Sequence, residues 1–130
     1  MRVMFRVPLL LAVLTASVVT AAPARRAVAA PTFHLRLTKS EPAKDATVEA
    51  PRVLRLWFSE PATLAVTSVK LKGADDADVA LAKPSFSGDA SQPIEVAVTG
   101  MLKPGRYTVS YRTASKDMHP VTGEFSFTVR

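Results

Sequence analysis

The 130-residue chain contains no cysteine. That excludes disulfides, thiolate metal sites, c-type haem attachment and a thiol nucleophile. Histidine is nearly as scarce, with His34 and His119 the only two. The five glycines are dispersed, so no Gly-rich loop is available to cradle a phosphate. No serine stands in a nucleophile elbow. Catalytic hydrolysis needs a base, an orienting acid and an activated nucleophile in one place. This inventory does not supply them, and the chain is not expected to be an enzyme. A run of basic residues is missing too. Lys70, Lys72, Lys83 and Lys103 are scattered, so nothing follows a phosphate backbone and no nucleic-acid partner is expected.

The formal net charge of +6, from 17 basic and 11 acidic residues, is concentrated at the start of the chain. The first 29 residues hold Arg2, Arg6, Arg25 and Arg26 and no acid, so the remainder carries 13 bases against 11 acids, a net +2. Arg2 and Arg6 precede an apolar run, Val7 to Val19, interrupted only by Pro8, Thr15 and Ser17. An Ala- and Thr-rich string follows. This is the layout of a secretory signal. The run is also short of the ~20 residues that span a bilayer. Val19-Thr20-Ala21 and Ala27-Val28-Ala29 both offer small-residue cleavage sites, giving a mature start at Ala22 or Ala30. The expected organisation is a signal peptide over 1–29, cut somewhere between 21 and 30, and one exported domain over 33–130.

Beyond the signal the dominant period is two. Leu35 and Leu37 alternate with Arg36 and Thr38; Leu54, Leu56 and Phe58 with Arg55 and Trp57; Val69 and Leu71 with Lys70 and Lys72. Ile94, Val96 and Val98 repeat the pattern, as do Tyr107, Val109 and Tyr111, then Phe125, Phe127 and Val129. Such alternation marks antiparallel sheet with one solvated face. Turn residues separate the runs, among them Pro104-Gly105, where proline presets φ and glycine accepts a positive one. Ala74 to Ala82 reads as a loop with a short strand around Val79. About seven strands in roughly a hundred residues fit an immunoglobulin-like β-sandwich. Leu54, Leu56, Phe58, Val109, Phe125 and Phe127 are expected in one core.

One short stretch could carry chemistry: Ser115-Lys116-Asp117-Met118-His119-Pro120, between the last two strands. In extended backbone, residues i and i+2 project to the same side. Pro120 favours extended backbone at His119. Asp117 and His119 would then face together, with Met118 turned away. A carboxylate and an imidazole make half a metal site. His34, the other imidazole, lies near the mature terminus, where it could swing to a neighbouring loop. Without thiolates, a His/His/Asp set suits Cu(II) best by ligand type, and Zn(II) remains open for the same ligands.

Several motifs resemble the CopC family. Ser40-Glu41-Pro42-Ala43 is followed by Val48, Pro51, Leu54, Leu56 and Phe58-Ser59-Glu60-Pro61. Leu102, Pro104-Gly105, Tyr107, Val109 and Arg112 continue the likeness, and Ser115, Asp117, His119-Pro120, Val121, Gly123, Phe125, Phe127 and Val129 complete it. The resemblance covers about 33–130. It implies an all-β Greek-key sandwich of about seven strands that binds Cu(II) in the periplasm and buffers or delivers it. It further implies a monomer whose partners are the copper ion and an inner-membrane copper transporter of the CopD type. In the family the metal is held by an N-terminal His together with the Asp and His of a D-x-H motif, which here are Asp117 and His119. Thr32 stands where the N-terminal His is usual and His34 lies two places later, so the family's terminal chelate does not carry over directly; His34 is the expected third ligand, with the free terminal amine as the alternative. The Met-rich stretch of Cu(I)-binding members is missing, since only Met101 and Met118 lie beyond the signal. Asp45 replaces a usual Gly, Met118 a residue that is often Gly or otherwise small or polar, and Tyr111 a common Trp. The competing expectations are a metal-free envelope adhesion or assembly module and a copper redox enzyme of the histidine-brace type. The latter requires the N-terminal His that the expected processing sites do not provide.

Overall fold

The structure, a computed structural model, describes residues 34–88 and 92–130, so the expected signal peptide over 1–29 lies outside the described residues. The described chain forms nine strands: β1 (Leu37–Glu41), β2 (Thr47–Val48), β3 (Val53–Phe58), β4 (Ser68–Gly73), β5 (Asp78–Val79), β6 (Ser85–Phe86), β7 (Ile94–Ala97), β8 (Gly105–Ala114) and β9 (Pro120–Val129). One 3₁₀ turn, Leu64–Val66, joins β3 to β4. The seven expected strands all form. The two additional ones, β2 and β6, are two residues long, too short to show any alternation.

The strands make two sheets, ordered β1-β3-β7-β6 and β2-β9-β8-β4-β5. The chain crosses between the layers after β1, β2, β3, β5 and β7, the repeated crossing of an immunoglobulin-like Greek-key sandwich. The period-two pattern fixes which face is inward, because a slip of one residue would expose the whole apolar set. In β3 Leu54, Leu56 and Phe58 are buried while Val53, Arg55 and Trp57 are only partly covered. On the facing sheet Tyr107, Val109, Phe125, Phe127 and Val129 are buried, and all six residues expected in the core belong to one cluster. Burying a side chain of this size contributes ~1.5–3 kcal/mol. Trp57 lies on the outer side of its sheet, where the Lys39 ammonium stands 4.2 Å from its ring centroid.

Two motifs have evident physical causes. The Tyr107 hydroxyl donates to the Lys103 carbonyl at 2.8 Å and accepts from the Lys103 N–H at 2.9 Å. This is the tyrosine corner of sandwich folds, and it explains a tyrosine two residues after Pro104-Gly105. Gly105 takes φ +148°, where a side chain would be strained. Gly123 serves close approach instead. It pairs with Tyr111 across β8 and β9, and a Cβ there would stand 2.6 Å from Tyr111 Cζ and closer still to its hydroxyl. The bare backbone lets the Tyr111 ring lie inward, edge-on to Phe58 at 5.4 Å.

Strands β8 and β9 form the longest hairpin, paired without interruption from Gly105↔Val129 to Ala114↔Pro120. Residues 115–119 are the five-residue loop that closes it at one end of the sandwich.

Candidate metal centre

The loop begins on a buried residue. Ser115 is 6% exposed, whereas residues 116–120 are exposed. Its carbonyl accepts from the Met118 N–H at 3.0 Å, closing a tight turn, and from the Thr63 hydroxyl at 3.4 Å. The Thr63 N–H also donates to the Ala114 carbonyl at 2.8 Å, so the segment after β3 straps the base of the loop.

Asp117 and His119 come together as expected, but not by strand alternation. The segment turns rather than running extended, and Met118 takes a left-handed φ of 60°. Asp117 organises that turn. Its Oδ1 accepts from the Ser115 hydroxyl at 2.7 Å and from the His119 N–H at 3.2 Å, and its Oδ2 lies 3.1 Å from His119 Nδ1. These bonds favour the ionised form: the Ser115 hydroxyl most, then the His119 N–H and imidazole, hold the Asp117 pKa down at about 2. Met118 is 55% exposed and is not part of the core.

His34 is exposed and immediately precedes buried Leu35. The Arg36 N–H donates to Ser59 Oγ at 3.1 Å and the Ser59 N–H to the Arg36 carbonyl at 2.8 Å. The chain entering β1 is therefore held beside Ser59, the residue that follows β3. Glu60 and Pro61 in turn line a surface cleft of about 470 Å³ with Ser115, Lys116 and Asp117. His34 thus enters at the end of the sandwich that carries the loop. Among the described residues, however, no three His, Asp or Glu side chains are gathered closely enough to hold a metal ion. The structure joins Asp117 to His119 and leaves His34 apart from them. Two features of the site went unassigned in the sequence reading: the hydroxyl of Ser115 and the carboxylate of Glu60 in the cleft. A hydroxyl two residues before an aspartate in a loop is a common local bonding pattern and was the available signal for Ser115; nothing local marks Glu60, which the fold alone brings there.

Fold and loop define a β-sandwich protein of immunoglobulin-like topology that carries an exposed carboxylate–imidazole pair at one end. The chain belongs to the CopC family: the CopC domain matches residues 37–130. It is 32% identical over 103 residues to copper resistance protein C of Escherichia coli, covering 75% of this chain and 82% of that protein. It is 31% identical over 121 residues to protein YobA of Escherichia coli strain K12, covering 92% and 91%. Among solved structures it resembles PcoC, a methionine-rich copper resistance protein from Escherichia coli, with 33% identity and a TM-score of 0.66 over 75% of this chain and 99% of that one. CopC from Methylosinus trichosporium OB3b gives 26% identity and a TM-score of 0.67 over 74% and 93%. No helix among the described residues is long and apolar enough to cross a membrane.

Proposed function

We propose that this protein binds Cu(II) through Asp117 and His119, with His34 as a third donor, and that it buffers copper in the periplasm or delivers it to an inner-membrane transporter of the CopD type. The observation that carries the proposal is the 3.1 Å approach of Asp117 Oδ2 to His119 Nδ1 on a loop of a CopC-family domain. Two neighbouring ligands at right angles on a metal with bonds of about 2.0 Å stand about 2.8 Å apart, so an ion that displaces the proton shared between these atoms takes both with little movement. The ionised carboxylate supplies charge neutralisation, and the exposed imidazole supplies the nitrogen that Cu(II) favours. Export through the N-terminal signal would place the domain where no thiol competes for the ion.

The test is Cu(II) titration of the mature domain, followed by its d–d absorption band, against His119→Ala. The variant should lose the band and at least ~100-fold in affinity, the upper reach of what even an indirect partner of a metal ligand costs. Unchanged binding by His119→Ala would move the site elsewhere, and no uptake by the parent would favour a metal-free envelope module.

A further inference from the structure

Besides Tyr107, whose hydroxyl is bonded within its corner, two side chains with a hydroxyl are buried among the described residues, Thr113 and Ser115. A buried hydroxyl must find a partner or lose ~1–3 kcal/mol. Thr113 finds one within the framework, 2.7 Å from the Thr67 hydroxyl. Ser115 finds its partner outward, on the exposed Asp117 carboxylate.

This bond divides the two oxygens of Asp117. Oδ1 is occupied twice by the protein, at 2.7 Å by Ser115 and at 3.2 Å by the His119 N–H. Oδ2 faces the imidazole. Rotating the carboxylate would break the short charge-assisted bond to Ser115, among the stronger hydrogen bonds a protein makes. Ser115 is itself immobilised. Its carbonyl is bound by Met118 and Thr63, and the residue before it pairs with Pro120 across the hairpin. A continuous path therefore runs from the strapped sandwich through Ser115 to the carboxylate.

We infer that Ser115 is the positioning residue of the site: its buried hydroxyl commits Oδ1 to the protein, so that Asp117 presents Oδ2 alone, as a single-oxygen donor beside the His119 imidazole. This rests on the reading that Asp117 and His119 take the ion. Removing an outer partner of a metal ligand costs roughly 10–100-fold in affinity.

The experiment compares the parent, Ser115→Ala, Ser115→Thr and His119→Ala by Cu(II) titration and by the electron paramagnetic resonance spectrum of the bound ion. Ser115→Ala should lose about tenfold or more in affinity and replace the parent's single spectrum by a shifted or mixed one, with the far-ultraviolet circular dichroism unchanged. Ser115→Thr, which keeps the hydroxyl, should restore both. Parent-like affinity and spectrum in Ser115→Ala, while His119→Ala loses the ion, overturns the role of Ser115 and leaves the site standing. Parent-like binding in His119→Ala overturns both together. Should Ser115→Ala fail to fold, the copper-free parent decides the matter by nuclear magnetic resonance. Slow solvent exchange of the Ser115 hydroxyl proton supports the inference, and free exchange overturns it.

Discussion

At Asp45 and Met118 the backbone takes φ of 60°, the left-handed region that costs an ordinary side chain ~1–2 kcal/mol. At both positions the resemblance to the family led to the expectation of a glycine or another small or polar residue, and the torsion gives a reason glycine would suit them. The two departures are not equivalent. Aspartate tolerates the left-handed region, and Asp45 adds an ion pair with Arg106 at 3.2 Å, exposed on both sides and so contributing little. Its N–H also bonds the Ser126 carbonyl at 2.7 Å, which holds the turn against β9. The Met118 N–H likewise bonds the Ser115 carbonyl, but a methionine side chain neither favours the left-handed region nor forms an ion pair there. Glycine at either position would relieve strain but give the unfolded chain more freedom, a penalty of ~0.5–1 kcal/mol. Met118→Gly should therefore raise stability by up to ~1 kcal/mol, whereas Asp45→Gly should be neutral or slightly destabilising. Denaturant midpoints at unchanged slope measure both. A loss on Met118→Gly would mean that its side chain makes a contact worth more than the strain.

The β8–β9 hairpin is the element that turns local chemistry into a site, and its loop is stabilised by the same bonds that orient Asp117. Those bonds hold the carboxylate at about 2, below the ~3.9 of an unfolded aspartate. A depressed acid stabilises the fold above its unfolded pKa and ceases to do so as pH falls through the folded one. The stability gap between the copper-free parent and Asp117→Asn should accordingly stay constant from neutral pH down to about 5, then close between about pH 4 and 2. Urea titrations across that range test this. A gap already closed at pH 5, or undiminished near pH 2, would show that Asp117 lacks these partners. The strands themselves were legible beforehand because burial on one face imposes a two-residue period that the side chains display directly, as Leu54, Leu56 and Phe58 do. The two-residue strands β2 and β6 and the 3₁₀ turn repeat nothing and left no such trace. The meeting of Asp117 and His119 was also anticipated, but for a different cause. Extended backbone and a turn closed by Asp117 both bring i and i+2 together, and only the left-handed Met118 separates them.

Across the whole molecule, the site depends on two distant parts of the chain arriving at one end of the sandwich. The pairing of Arg36 with Ser59 ties the chain two residues after His34 to the segment that leads into Glu60 and Pro61, and the strap from Thr63 to Ala114 and Ser115 ties that segment to the loop. Leu35 is buried and fixes the chain from that point onward, while His34 itself is exposed and outside any three-residue cluster. Asp117 and His119 are already joined by their hydrogen bonds, so the ion finds them in place. Recruiting His34 instead requires ordering an exposed side chain when the ion binds, an entropic cost that lowers its net contribution. The ligands should therefore rank unequally. His34→Ala should weaken Cu(II) binding by about tenfold or less, about 1.4 kcal/mol, and His119→Ala by considerably more. Titrating both variants in protein whose N-terminus has been determined by mass spectrometry makes the comparison, because the expected cleavage, near Ala22 or near Ala30, would set how far the terminal amine lies from His34. Equal losses would mean that the entry to β1 is held against the loop as firmly as the hairpin holds its own pair. No loss at His34 would reduce the protein's own ligands to the hairpin, with a donor from elsewhere, such as Glu60 across the cleft from Asp117, completing the set.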